Sequence, residues 1–254
     1  MPTTSFQLLP IGVGDAFSAN YYSACMLLAY EGKRILIDCP HPIRKALHDA
    51  TATTEMPTDL DAIDAIVLTH VHADHSSGLE GFAYFARFVL QRRVQLYAHP
   101  KVSERLWENS LAAGMDSLTM PDGPDQPMTF EDYFELHALS DEEATAVGPF
   151  SVECRWTKHP VPTTALRIAT KSGALGYSSD TAWDPDLIEW LATADRIIHE
   201  CNFGIHTPYE RLIELPEDVR AKMWIHHLPD SFDRAASLIE PLEQGRLYTI
   251  NRSV

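Results

Sequence analysis

Short, nearly unbroken apolar runs bounded by turn residues recur along the chain. They predict buried strands over residues 6–13, 24–30, 34–38 and 62–69. The same pattern returns at 94–98, 150–157, 165–170, 174–178, 196–199, 221–226 and 247–250. Turns fall at Gly12-Val13-Gly14-Asp15 and Glu31-Gly32-Lys33. Between the strands the rhythm becomes helical: Leu79, Phe82, Phe85, Ala86 and Val89 share one face over 78–90. Further helices are predicted over 42–50, 103–111, 185–192, 209–215 and 231–242. Residues 114–148, rich in Pro, Asp, Glu and Gly with an amphipathic piece at 130–139, read as an insertion that partly covers a site. Two β-rich halves flanked by helices predict a single α/β domain over 1–254 with two sheets sandwiched between helices, an αββα four-layer sandwich.

Composition narrows the class. An apolar fraction of 45% and a charged fraction of 22% are ordinary for a globular chain. No apolar run approaches the roughly 20 residues that span a bilayer, and Met1-Pro2-Thr3-Thr4-Ser5 lacks a basic start and apolar block, so a cytoplasmic protein without a membrane partner is expected. Cys25, Cys39, Cys154 and Cys201 are scattered and read as reduced, buried thiols. The net charge of −16 argues against broad binding to duplex DNA or long RNA and favours a small-molecule substrate.

The chemistry concentrates at His70-Val71-His72-Ala73-Asp74-His75, directly after the buried 62–69 run and before a helix. His70 and His72, two apart at a strand end, can aim at one ion as the chain leaves the sheet. Asp74 and His75 follow on the turn, within reach of a second. Imidazole and carboxylate together suit zinc, manganese or iron.

These residues resemble the H-x-H-x-D-H signature of the metallo-β-lactamase superfamily, and the rest of the chain continues the resemblance in family order. Lys158-His159-Pro160 is similar to its third-histidine motif. Tyr177-Ser178-Ser179-Asp180-Thr181 resembles the Y-S-G-D-T segment of the bridging aspartate, with Ser179 in place of glycine. His199-Glu200-Cys201 is similar to the H-E-A segment of ribonuclease Z-like members, and Trp224-Ile225-His226-His227-Leu228 to the last ligand strand. The resemblance implies the metallo-β-lactamase fold, with one ion on His70, His72 and His159 and a second on Asp74, His75 and His227. Asp180 would bridge them. The last ligand is open between His226 and His227; aligning His227 with His70 places Leu228 in the apolar position after the ligand and favours His227. His206, where ribonuclease Z-like enzymes carry a proton donor, is assigned that role, with Glu200 orienting it. Asp38 is assigned to brace the metal loop.

The implied function is a binuclear metal-dependent hydrolase, with two divalent ions (zinc first, manganese or iron next) and a metal-bridging hydroxide that Asp74 also orients. Tyr177–Thr181, His199-Glu200 and His206 resemble the phosphodiesterase branch. The short intervals from His159 to Asp180 and from Asp180 to His206 leave no room for a tRNA-gripping arm, which favours a small phosphodiester such as a cyclic nucleotide. A lactonase or thioesterase is the alternative hydrolase, and a metal-binding redox or scaffold protein the alternative of another class. Relatives suggest a homodimer. His199 is expected to be structural, His41, His48, His99 and His137 to be surface or capping residues, and Asp184 a helix N-cap.

Overall fold

A computed structural model describes residues 5–52, 54–119 and 121–252. The reading of Met1–Thr4 falls outside them. Strands β1 (Phe6–Gly12), β2 (Cys25–Tyr30), β3 (Lys33–Ile37), β4 (Ala65–Leu68) and β5 (Val94–Ala98) belong to a first sheet. β6 (Ser117–Leu118) and β7 (Gln126–Pro127) pair only with each other. β8 (Phe134–Ala138) and β16 (Tyr248–Ile250) complete the first sheet in the order β16-β1-β2-β3-β4-β5-β8. The second sheet runs β15-β14-β13-β12-β11-β10-β9. Its strands are β9 (Thr145–Val147), β10 (Phe150–Trp156), β11 (Thr164–Ala169), β12 (Ala174–Tyr177), β13 (Arg196–Glu200), β14 (Met223–His226) and β15 (Glu240–Pro241).

The two sheets share one plan. From β16 to β3 the pairings are antiparallel, and from β3 to β8 they are parallel. Likewise, β9 to β12 pair antiparallel and β12 to β15 parallel. The polypeptide thus uses one topology twice without an exact sequence repeat, and the parallel half of each sheet presents strand carboxyl ends to loops.

Strand composition follows from being covered on both faces. On β4, Ala65 and Val67 enter the apolar layer between the sheets, whereas Ile66 and Leu68 enter the layer under the helices Ile43–Thr51 and Leu79–Phe88. Such a strand shows no polar alternation, which is why its sequence is an unbroken apolar run. A third apolar layer packs helix Pro185–Leu191 on the outer face of the second sheet through Leu187, Ile188 and Leu191 against Ile197 and Ile225. Gly176 on β12 permits this approach, because a Cβ there would lie 3.0 Å from the Leu191 carbonyl oxygen.

The predicted helix over 231–242 is absent: the segment is a series of turns ending in β15. Asp233 accepts hydrogen bonds from the Ala235 and Ala236 N–H groups, and Arg234 donates to the Leu242 carbonyl, so local side-chain bonds replace helical ones. The 103–111 helix is a broken one, with turns at Pro100–Ser103 and Ala112–Met115 around a π-turn at Trp107–Leu111. Within 114–148, β8 pairs with β5 and β9 with β10, so parts of that stretch form an edge of each sheet. Among the described residues no helix is long and apolar enough to cross a membrane.

Candidate metal centre

The candidate ligands lie where strands of the two sheets give way to loops at one end of the sandwich, the position at which α/β folds build sites. β4 passes through Thr69 into His70, and His72 immediately precedes the short helix Ala73–Ser76, which carries Asp74 and His75. From the second sheet, β10 leads to His159, β12 to Asp180 and β14 to His227.

The seven side chains fall into two groups that share Asp180. In each group the donor atoms lie within 4.8 Å of one another. In the first, His159 Nε2 is 3.0 Å from His72 Nδ1. Asp180 Oδ2 lies 3.8 Å from His70 Nε2 and 3.9 Å from His159 Nε2. In the second, Asp180 Oδ1 lies 3.3 Å from His75 Nε2 and 3.7 Å from His227 Nε2. Asp74 Oδ2 closes that group at 3.4 Å from His75 Nε2 and 3.3 Å from His227 Nε2. One oxygen of a single carboxylate therefore faces each group.

This arrangement fits divalent cations. His70 Nε2, His75 Nε2 and Asp180 Oδ1 are buried with no hydrogen-bond partner, whereas buried polar atoms are almost always paired. A nitrogen-and-oxygen donor set of this kind holds zinc, manganese or iron.

The loops are locked by a shell of further hydrogen bonds. Asp38, at the end of β3 and buried, accepts from Thr69 N at 2.8 Å and from Thr69 Oγ1 at 2.9 Å through Oδ1. Its Oδ2 lies 2.8 Å from His75 Nδ1, which fixes the His75 proton on Nδ1 and leaves Nε2 as the donor to an ion. Three residues here take left-handed backbone conformations: Asp38 (φ 64°), Ser179 (φ 51°) and His227 (φ 57°). For non-glycine residues such conformations carry strain and cluster at functional sites. The left-handed φ at Ser179 explains in physical terms why the resembled motif has glycine there.

Charge is distributed unevenly. Burial holds His70 well below the ordinary imidazole range and pulls His159 down to about 4, so both rings are neutral and competent as ligands. At His227 burial pulls downward too, but Asp180, the Asp74 hydrogen bond and Glu200 outweigh it and push the ring up to about 9. His75 is driven well above its usual value against burial by Asp180 and Asp38. Burial opposes ionisation of Asp180, yet His227, His75 and His70 hold its carboxyl well below the usual range. The second group thus carries concentrated negative charge that protons on its rings offset, a charge a cation would take over by displacing those protons.

His206 stands beside the cluster, its ring 5.3 Å from that of His227 and 5.7 Å from that of His159. Its Nδ1 is 2.8 Å from Oε1 of buried Glu200, which also accepts the Thr181 N–H at 2.6 Å. Burial lowers the His206 pKa, but the Glu200 hydrogen bond and charge reverse the sign and raise it. His227 faces the ligand cluster; His226 does not, its ring lying 5.1 Å from that of Tyr177. His199 is buried, with Nδ1 on the Glu200 carbonyl oxygen at 2.7 Å. His99 caps the turn Pro100–Ser103, His137 meets Gln95, and Asp184 caps Pro185–Leu191.

One tie was not foreseen from sequence. Asn202 Nδ2 donates to Asp15 Oδ2 at 3.0 Å and to the His227 carbonyl at 3.2 Å. Leu228 N–H donates to the Val13 carbonyl at 3.3 Å beside it. The Gly12-Val13-Gly14-Asp15 turn was the only available signal, and nothing in it named a partner about 190 residues away.

Solved structures share the architecture. The metallo-beta-lactamase fold protein YhfI from Bacillus subtilis superposes with a TM-score of 0.77 at 19% identity, over 96% of this chain and 99% of that one. A diphosphatase from the PhnP family gives 0.72 at 19% identity, over 97% and 100%. At these identities the likeness establishes the fold. The class is that of the metallo-β-lactamase fold, here with two paired donor groups at its strand ends. Within that class the chain belongs to the Anti-Pycsar protein Apyc1 family, whose model matches residues 6–248. An Anti-Pycsar protein Apyc1 of Bacillus phage BSP38 is 32% identical over 262 residues, covering 96% of this chain and 98% of the relative. Another, of Bacillus phage 010DV004, is 31% identical over 265 residues, covering 97% and 99%.

Proposed function

We propose that this protein hydrolyses cyclic nucleotides, with His70, His72, His159 and Asp180 holding one divalent ion and Asp74, His75, Asp180 and His227 the other. The observation that carries the reading is the single Asp180 carboxylate turned to both donor groups, with a Glu200-held His206 alongside. Membership of the Anti-Pycsar protein Apyc1 family supports this substrate class. Zinc is the first ion to test, given five imidazoles among the seven ligands.

Two bound divalent ions supply water ionised near neutral pH and neutralise charge that grows on phosphoryl oxygens. The chain's own residues do the rest. Asp74 Oδ2, 3.4 Å from His75 Nε2 and 3.3 Å from His227 Nε2, would both ligate and accept a hydrogen bond from the attacking water. As the water oxygen bonds to phosphorus, the bond to the ribose oxygen breaks. His206 donates the proton that this oxygen needs. With Nδ1 engaged by Glu200, its Nε2 is the nitrogen free to do so, and Glu200 keeps the ring protonated to higher pH.

The test is a screen of the protein loaded with zinc or manganese against cyclic nucleotides, bis(p-nitrophenyl) phosphate, lactones and thioesters. The proposal expects cyclic nucleotides to give linear monophosphates, with lactones and thioesters turned over poorly. Lactone or thioester cleavage exceeding that of every phosphodiester would replace it with a carbonyl-ester hydrolase.

A further inference from the structure

Seven large hydrophobic side chains are exposed among the described residues, and three of them, Phe17, Phe203 and Ile205, occupy two loops beside the candidate metal centre. Phe17 is 92% exposed and Phe203 69%. Isolated exposed apolar residues need no explanation, but a group of them on the loops of one site marks a binding surface.

Both rings are mounted on the hydrogen bonds that hold the backbone next to His227. Asp15 Oδ2 and the His227 carbonyl share Asn202 Nδ2. The other Asp15 oxygen accepts the Phe17 N–H at 3.0 Å. Asn202 Oδ1 accepts the Phe203 N–H at 2.8 Å. From Phe203 the chain turns through Gly204, at φ 71°, and reaches His206, whose N–H meets the Phe203 carbonyl at 3.4 Å. The loop tip bearing Phe203 is thus tied at one end to a candidate ligand and at the other to the candidate proton donor. Ser18 and Ala19 are fixed in turn by Asp230, through Ser18 Oγ at 2.5 Å and Ala19 N at 2.7 Å.

Neither loop carries a lysine or arginine between positions 12–21 or 200–208. The surface they offer is aromatic and carries no cation, beside the centre that would handle the charged phosphoryl group. We infer that Phe17 and Phe203 form an aromatic clamp that receives the base of the nucleotide while its phosphodiester sits at the metal centre. This rests on the cyclic-nucleotide reading and adds to it the residues that hold the base. Stacking on an aromatic face suits every base, so the clamp provides affinity with little discrimination among bases.

The experiment compares the metal-loaded wild type with Phe17→Ala, Phe203→Ala and the double variant. The substrates are a cyclic nucleotide and a cyclic ribose phosphate that lacks a base. Both rings are largely exposed, so truncation leaves the core untouched. The clamp predicts that KM for the cyclic nucleotide rises about 10-fold for each ring removed, at unchanged kcat, while the base-free substrate is unaffected. Equal effects on the two substrates, or none on either, would overturn it. So would variants that keep wild-type kinetics but lose a dimer in sedimentation, because the rings would then face a second copy of the chain. A wild type inactive on both substrates would remove the phosphodiesterase reading and the clamp together. An active wild type with unaltered variants removes the clamp alone.

Discussion

Asp38→Asn separates the fold from the metal centre more cleanly than any ligand substitution. Asp38 is buried, and three donor groups converge on it, the Thr69 N–H, the Thr69 hydroxyl and His75 Nδ1. Asparagine tolerates the left-handed backbone at this position, φ 64°, and its carbonyl oxygen can keep both Thr69 donors. Its amide group then meets His75 Nδ1. Two N–H groups cannot bond to each other, so the imidazole must move its proton to Nε2. That nitrogen lies 3.3 Å from Asp180 Oδ1 and 3.4 Å from Asp74 Oδ2, and with a proton on it His75 has no lone pair for an ion. Keeping the original tautomer instead leaves buried donors unpaired at about 1–3 kcal/mol. Either way affinity at the His75 site should fall about 10- to 100-fold, the usual effect of removing a carboxylate behind a ligand histidine. Because burial already raises the Asp38 pKa, a neutral replacement adds no desolvation cost, and the metal-free protein should melt within a few degrees of wild type. Competition with a chelator measures the affinity, and circular dichroism of the metal-free forms measures the fold. Unchanged affinity at the second site would refute the tautomer argument, and so would collapse of the metal-free variant.

Three further outcomes follow. His206→Ala should retain full metal content while kcat on cyclic nucleotides drops about 100- to 10,000-fold, with p-nitrophenyl esters far less affected; equal losses on both would remove the proton-donor role. Glu200 raises the His206 pKa, so the protonated donor survives as pH rises past about 6.5, and activity is lost only when pH climbs through the raised value. Glu200→Gln should therefore move the alkaline limb of the kcat–pH profile to lower pH, and an unmoved limb in metal-saturated enzyme would contradict the coupling. Ser179→Gly relieves a left-handed conformation worth about 1 kcal/mol but frees the unfolded chain by a similar amount, so melting should shift by only a few degrees. A large loss of stability would show that the buried Ser179 hydroxyl has a role of its own.

The features legible from sequence were those set by local composition. The β4 run ending at His70 could be read because burial on both faces removes polar residues, and the candidate ligands could be singled out because they gather in loops that follow strand ends. The left-handed φ at Ser179 accounts for the glycine that the resembled motif carries where this chain has serine. Other parts depended on distant pairing. Phe134–Ala138 buries only Phe134 and so carries no clear strand alternation, and its partner Val94–Ala98 lies 40 residues earlier, so the sequence alone showed only an amphipathic piece within 114–148. The 231–242 segment has apolar residues at helical intervals, yet Ile239 and Leu242 reach two different apolar layers from a turning chain. The Asp15–Asn202 knot joins two loops through side chains whose identities suggest only turns.

The central claim is that seven residues from both sheets hold two ions across Asp180. The direct measurement is a crystal structure of zinc-loaded protein with anomalous data at the zinc edge, together with metal analysis of the same sample. Two equivalents per chain are expected, with one peak among His70, His72 and His159, another among Asp74, His75 and His227, and Asp180 touching both. A single peak, or peaks away from Asp180, would contradict the account.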